Sequence, residues 1–183
     1  DSILNTDLNK IQQHVISIDF ILTANVFRIL PSTIVIEVVE RSPIALVNDG
    51  ESLFLVDVDN IILPATGNAI NNFPVPVIHY QRNGNGNSSP YEMVNIIKEI
   101  LSMYPSLYQN LSELNKNNDE YILLSDDKTT IFLGVNEINK QIYLLKQFIK
   151  TVEHVKEIGH YSYIDLRIPN QVVVKEKGYR YTS

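Results

Sequence analysis

Residues 26–47 read VFRILPSTIVIEVVERSPIALV, and this stretch decides the fold. Residues 26–29 favour a strand, residues 30–32 favour a turn, and residues 33–40 favour a second strand because most of them are β-branched. Pro43 then interrupts the strand, since proline has no N–H group and biases the preceding residue toward extended geometry. An apolar run resumes directly after Pro43. The stretch therefore predicts a β-hairpin that is joined to a further strand through a pivot.

The residues before the hairpin predict a helix. Four apolar residues recur at intervals of three and four, which is the helical period: Leu8, Ile11, Val15 and Ile18. The helix is expected over residues 6–18, with Asn5 or Thr6 as its N-cap. A strand from about residue 20 then leads into the hairpin. Helix and hairpin together form a small α+β unit, which we assign to residues 1–46.

From residue 47 onward, short β-rich runs alternate with turn signals, of which Asn48-Asp49-Gly50 is the strongest. This pattern predicts a larger β-domain over residues 47–176, followed by a polar tail at residues 177–183. Residues 82–89 have the composition of a surface loop. The predicted strands cover residues 53–58, 61–63, 108–114, 120–125, 129–133, 162–168 and 171–175, with an extended segment at 74–78.

Two helices are expected within this second domain. The first begins with Ser89 as the cap, Pro90 at the first helical position and Glu92 as a capping-box carboxylate. The second covers residues 137–157, with Gly159 as its C-terminal cap. The predicted fold class is α+β, in which a partial helix-plus-hairpin unit precedes a larger antiparallel or mixed β-domain with two helices.

Composition excludes several classes of function. The formal net charge is −6, and no stripe of Lys and Arg could neutralise a row of phosphates, so nucleic acid is not an expected partner. No apolar run approaches the roughly 20 residues of a membrane-spanning helix, and no signal peptide opens the sequence, so any membrane anchor is expected outside this chain. The chain has no cysteine, which excludes disulfides, thiolate zinc sites and cysteine nucleophiles.

Candidate chemical groups are few. Asp57 and Asp59 lie two apart on a strand and could share a cation or a proton, but a calcium loop would need an oxygen ligand near Ile61 and a glycine at position 62. The histidines have no metal-binding spacing and are His14, His79, His154 and His160. The sequence therefore favours structural roles for these groups, and no cofactor, metal or small-molecule substrate is predicted.

Charged residues also mark the hairpin and the pivot. Glu37 is expected to face water or to pair with Arg28 across the hairpin, in a contact worth about 0.2–1 kcal/mol. Glu40, Arg41 and Pro43 are expected to form the junction that fixes the angle between the two units.

An ordered set of motifs resembles the FtsQ/DivIB family of bacterial cell-division proteins. The set begins with Arg28, Pro31, Glu40-Arg41 and Pro43-Ile44-Ala45 in the opening stretch and continues through the segments LVDVD at 55–59, FPVPVI at 73–78, LG at 133–134 and YIDLR at 163–167. The resemblance implies an extracytoplasmic POTRA domain whose N-terminal part would precede Asp1, followed by a β-domain. It also implies a single-pass anchor in the inner (cytoplasmic) membrane, outside this chain.

The same resemblance implies a function. In this family a non-enzymatic divisome scaffold binds bitopic partners, which here would be FtsB-like and FtsL-like proteins. The last strand, just after the Asp-Leu-Arg motif, adds a partner strand at its edge. Carried over to this chain, the partner-binding residues are Ile168, Asn170, Gln171, Val172, Val173, Val174 and Lys175. The run of valines agrees with this role, because an exposed β-prone edge templates another chain through backbone hydrogen bonds.

Two alternatives stay open. One is a POTRA-type protein-binding module of a secretion or outer-membrane assembly system. The other is an enzyme or small-ligand binder that uses Asp57, Asp59 or His79.

Overall fold

The computed structural model describes residues 5–80, 89–117 and 119–178, in which five helices and eleven strands are found. The predicted loop at 82–89 lies outside the described residues except for Ser89. A short 3₁₀ turn, Ile158–His160, precedes the tenth strand. The helices are α1 (Leu8–Ile16), α2 (Gly67–Asn72), α3 (Tyr91–Met103), α4 (Pro105–Gln109) and α5 (Ile138–Val152). The strands are β1 (Ile21–Ile29), β2 (Thr33–Glu40), β3 (Pro43–Asn48), β4 (Leu53–Asp57), β5 (Ile62–Pro64), β6 (Val77–His79), β7 (Leu111–Asn117), β8 (Glu120–Ser125), β9 (Thr130–Gly134), β10 (Tyr161–Asp165) and β11 (Val173–Glu176).

The described strands form two sheets. β1 and β2 form an antiparallel ribbon around the turn at residues 30–32, with Ile29 opposite Thr33 and Ile21 opposite Glu40. The other nine strands form one sheet in the order β11-β10-β9-β8-β7-β6-β3-β4-β5. The pairs β3–β6, β6–β7 and β9–β10 are parallel, and the other pairs are antiparallel. The predicted α+β class, with a hairpin unit before a larger mixed sheet, is confirmed.

Helices α3 and α5 pack together on one face of the large sheet and cover the main core. Side chains alternate along the strands, so Leu123, Ile131 and Leu133 point toward the helices and are buried. Their neighbours Ile122 and Phe132 point to the opposite side and are only half-buried. We call this opposite side the outer face.

At the β3–β5 end, α2 covers the outer face and forms a second apolar cluster. Its buried members are Leu46, Leu55, Leu63 and Ala69. Phe20, just before β1, packs against this cluster, and its ring stacks on that of Phe73 with 5.7 Å between centroids. The hairpin unit is therefore held against the large sheet by apolar contact as well as by the chain itself.

The first helix is shorter than predicted and has a different cap. α1 begins at Leu8, and the Asp7 carboxylate accepts hydrogen bonds from the N–H groups of Asn9 and Lys10 at 3.1 and 3.2 Å. The prediction of Asn5 or Thr6 as the cap is wrong, because Asp7 places an ionised acceptor directly at the first turn.

Of the two alternatives predicted for Glu37, exposure to water is confirmed and pairing with Arg28 is wrong. The register of the ribbon places Asn25 opposite Glu37, and the Asn25 amide lies 3.4 Å from the Glu37 carboxylate. Arg28 lies opposite Ile34, and its guanidinium donates to the carbonyl oxygen of Thr6. Arg28 thus ties the ribbon to the start of the chain.

In the described part of the large domain there are four helices rather than two, since α2 and α4 were not predicted. The strand predicted at 108–114 begins only at Leu111, because Pro105 starts α4 in a position where its missing N–H costs nothing. The helix predicted over 137–157 ends at Val152. Val155 is 78% exposed, so no apolar contact favours another helical turn, and Gly159 lies in the 3₁₀ turn instead of capping α5.

The predicted capping box at α3 does not form. Pro90 is the N-cap, and the Glu92 carboxylate reaches across to the sheet, where it accepts hydrogen bonds from Lys116 and from the hydroxyl of buried Tyr121. These two hydrogen bonds, with that of Lys116 the larger influence, lower the pKa of Glu92. Glu92 therefore fastens α3 to β7 and β8.

Candidate partner-binding edge

The β10–β11 hairpin forms one end of the nine-stranded sheet. β10 pairs in parallel with β9 along one of its edges and antiparallel with β11 along the other. Among the described residues no strand pairs with the outer edge of β11. An unpaired edge presents backbone N–H and C=O groups at alternate residues, and these can accept a further strand.

The side chains of β11 separate into two sets. Val174, and Val172 just before the strand, are half-buried and pack against the main core. Val173 lies opposite Asp165 and Lys175 lies opposite Tyr163, both on the outer face, and both are exposed. The core-facing valines hold the strand in register, while the outer-face residues stay accessible beside the free edge.

The Asp-Leu-Arg motif supports the start of this hairpin. Leu166 is buried, and its N–H donates to the Phe132 carbonyl at 3.0 Å. Arg167 makes ion pairs with Asp165 and Glu120, and its guanidinium lies 4.9 Å from the centre of the Phe132 ring. The hydrogen bond from Arg167 is the main reason that the pKa of Asp165 is lowered. This cluster orders the chain on the outer face just before it turns.

The far end of β11 is fastened by separate contacts. Lys156 pairs with Glu176, and the Lys177 ammonium donates to the Asp127 carbonyl. The Lys177 N–H also donates to the His160 carbonyl at 2.9 Å. Nothing in the sequence pattern pointed to these contacts, because isolated charged residues at a surface carry no periodic signal. The contacts of Lys156 and Lys177 fix the C-terminal end of β11 against the rest of the domain.

The predicted partner-binding residues occupy two parts of the hairpin. Val173, Lys175 and their neighbours lie on or beside β11, as described above. Ile168 and Asn170 lie in the turn before it, where the Gln171 N–H donates to the Ile168 carbonyl at 3.1 Å. The strands predicted at 162–168 and 171–175 are therefore shorter and shifted, at 161–165 and 173–176.

A groove of about 950 Å³ borders this turn. Arg167, Pro169 and Asn170 form one wall, and Lys140 and Tyr143 of α5 lie on the other. Of the predicted partner-binding residues in the turn, Asn170 thus lines an open concave surface beside the hairpin.

The predicted junction residues meet at the pivot between the two sheets. Glu40 ends β2 and Pro43 begins β3, so residues 43–46 belong to the large sheet. The Arg41 N–H donates to the Phe20 carbonyl at 2.8 Å, and its guanidinium lies 2.7 Å from Asp57, whose side chain is only 3% exposed. The division predicted at residue 46 stays a prediction, while the change of sheet falls at residues 41–42.

Of the remaining chemical candidates, Asp57 and His79 have structural partners. Asp57 accepts the N–H groups of Asp59 and Ile61 at 2.9 and 2.8 Å, in addition to the Arg41 guanidinium. His79 lies 3.3 Å from Glu113. Within the described ranges no three His, Asp or Glu side chains are placed to hold a metal ion. A second cavity, of about 320 Å³ beside the 3₁₀ turn, is not lined by Asp57, Asp59 or His79.

These features define an α+β protein whose large sheet ends at an edge that no described strand covers. The family model described as FtsQ/DivIB, C-terminal related, matches residues 42–175. The chain therefore belongs to this family of bacterial cell-division proteins. The match begins where the chain enters the large sheet and ends within β11.

The proteins similar to this chain include an FtsQ and a DivIB domain. The Cell division protein FtsQ of Koribacter versatilis (strain Ellin345) is 22% identical over 181 residues, which are 94% of this chain. The chain spans about half, 52%, of that relative's length. The major extracytoplasmic domain of DivIB from Geobacillus stearothermophilus is 12% identical, with a TM-score of 0.42 over 65% of this chain and 99% of that domain. No helix in the described residues has the length and apolar character needed to cross a membrane.

Proposed function

We propose that this chain is a non-enzymatic scaffold of the division machinery that binds bitopic partner proteins by adding a partner strand to β11. The observation that carries the proposal is the outer edge of β11, which no described strand pairs, in a chain that belongs to a cell-division family. Strand addition derives its affinity from backbone hydrogen bonds, each worth about 1 kcal/mol net, and its specificity from side chains at alternate positions.

Comparison with the opposite edge favours β11. β5 ends the sheet on the other side, but it has only three residues and its last is Pro64. Proline cannot donate to a ladder, and short edges with proline resist strand addition. β11 has no proline and contains consecutive valines, which favour extended backbone.

We further propose that FtsB-like and FtsL-like proteins are the partners, and that the chain acts on the periplasmic or extracytoplasmic side of the membrane, anchored by a helix outside it. The hairpin unit before Pro43 would then be the C-terminal part of a POTRA domain. The Arg41–Asp57 ion pair and the stacking of Phe20 on Phe73 support a fixed angle between this unit and the sheet. The family match to a cell-division family favours this function over secretion or outer-membrane assembly.

The proposal is tested by Val173→Pro in a pulldown with the extracytoplasmic segment of the FtsB-like protein of the same bacterium. Val173 lies opposite Asp165, and its N–H faces β10 rather than the free edge. Proline removes this N–H and disturbs the β10–β11 ladder that holds the edge in place, so binding is expected to fall at least tenfold. Val173→Thr is the matched control, because it keeps the N–H group and the β-branch. Circular dichroism and thermal unfolding establish that both variants are folded. Unchanged binding by the proline variant would refute edge addition.

A further inference from the structure

The charged side chains of the β10–β11 hairpin are paired with one exception. Within the described part of the chain, the Lys175 ammonium has no ion pair and no side-chain hydrogen bond. Among the described residues of this edge, Lys175 is therefore the charged side chain without a partner of its own, whereas the Lys177 ammonium donates to a backbone carbonyl. Arg167 pairs with Asp165 and Glu120, Glu176 pairs with Lys156, and Lys177 donates to the Asp127 carbonyl.

Lys175 is also placed where an added strand would meet it. It lies on the outer face opposite Tyr163, and it is exposed beside the free edge of β11. In an antiparallel pair, directly opposed residues have Cβ atoms about 4.5–5.5 Å apart, which is within reach of a lysine ammonium and a carboxylate. A strand on this edge would therefore carry a side chain directly against an uncompensated positive charge.

We infer that Lys175 selects the partner by charge: the strand that docks on β11 carries an acidic residue opposite Lys175, next to an apolar residue that faces Val173. This inference rests on the proposed function and specifies the chemistry of its partner. A lysine at a sheet edge costs little when the added strand supplies a carboxylate. It disfavours strands that place an apolar or basic side chain opposite it.

The same lysine opposes pairing of two copies of this chain. If two β11 strands paired about Lys175, the two ammonium groups would face each other, and like charges at opposed positions are unfavourable. Replacement by Val would leave a run of four valines, 172–175, on an open edge. We therefore expect Lys175→Val to increase self-association while weakening binding of the acidic partner.

The test measures binding of the extracytoplasmic segment of the FtsB-like protein to the wild type, to Lys175→Gln and to Lys175→Glu. Loss of one opposed charge pair predicts about twofold to fivefold weaker binding, and charge reversal predicts about fourfold to thirtyfold. Both effects should shrink as salt is raised, because exposed charge pairs are screened. Lys150→Glu, on the exposed side of α5, makes the same change in net charge away from the edge and should leave binding unchanged.

A second set of variants separates this inference from the proposed function. Replacing the acidic residue of the partner strand by Lys should restore binding to Lys175→Glu. If Val173→Pro abolishes binding while Lys175→Glu, Lys175→Gln and Lys150→Glu all bind like the wild type, the charge selection is overturned and edge addition stands. If Val173→Pro binds normally, the proposed function itself fails.

Discussion

Replacement of Asp57 by Ala should destabilise the protein more than any other single change at the pivot. The Asp57 side chain is 3% exposed, and its carboxylate accepts three hydrogen bonds, from Arg41 and from the N–H groups of Asp59 and Ile61. Its loss leaves the Arg41 guanidinium, whose side chain is 19% exposed, without its carboxylate. Breaking a buried ion pair costs about 3–5 kcal/mol, and partial access of water to Arg41 places this case near 3 kcal/mol.

The variant Asp57→Asn separates the contribution of the ion pair from that of the two backbone hydrogen bonds. The asparagine side chain would keep a carbonyl oxygen that accepts the two backbone N–H groups but would lose the ionic contact, so we expect a cost of about 2 kcal/mol. Asp59→Ala is the matched control. Its side chain is exposed, and only its backbone N–H contacts Asp57, so we expect a change within about 0.5 kcal/mol.

Urea unfolding, followed by circular dichroism, measures these differences. With a dependence of about 1–3 kcal/mol per molar urea, a loss of about 3 kcal/mol lowers the midpoint by about 1 M or more. Unfolding of Asp57→Ala and Asp59→Ala at the same urea concentration would show that the Asp57 carboxylate does not stabilise the pivot, and this role is refuted in that case. It is also refuted if Asp57→Asn costs as much as Asp57→Ala, because the backbone hydrogen bonds would then contribute nothing.

Two further predictions concern the main domain. Lys116 and Tyr121 lower the pKa of Glu92, so the ionised carboxylate stabilises the fold fully above pH 4.5, the ordinary pKa, and this contribution is lost as the pH falls through the lower pKa of the folded state. Glu92→Gln should therefore flatten the acid side of a plot of stability against pH, and an unchanged plot would contradict this role of Glu92. Thr129 is fully buried, and its hydroxyl lies 2.9 and 2.7 Å from the carbonyl oxygens of Ile158 and Tyr161. Thr129→Val should therefore lower the free energy of unfolding in urea by about 1–3 kcal/mol, because the valine cannot donate to these oxygens. Thr129→Ser, which keeps the hydroxyl, should lower it by less than Thr129→Val.

Local sequence patterns were enough to predict the hairpin and most strands. Thr33–Glu40 and Glu120–Ser125 have the predicted bounds, because each is a β-branched or alternating run between clear turns. α2 was missed because six residues with a single buried side chain, Ala69, are too short to show a helical period. The end of α5 was misplaced because the apolar period continues to Val155 although the fold leaves that residue exposed.

The order of strands and the contacts of the site depend on distant residues. Leu46 pairs with Val77 across a parallel connection that no local pattern specifies. Arg41 and Asp57 were each noted in the sequence, one as part of the junction and one as a candidate ligand, but only the fold shows that they bind each other. The position of β11 as an edge follows from the complete strand order, so the resemblance to a family indicated it better than periodicity did.

Amide hydrogen exchange of β11 with and without the extracytoplasmic segment of the FtsB-like partner tests the central claim most directly. Strand addition buries backbone N–H groups at alternate positions along the free edge. If a partner strand adds to β11, amides that face outward between residues 172 and 176 become protected on binding, while those already paired with β10 change little. Binding that protects amides elsewhere and leaves every β11 amide unchanged would contradict strand addition.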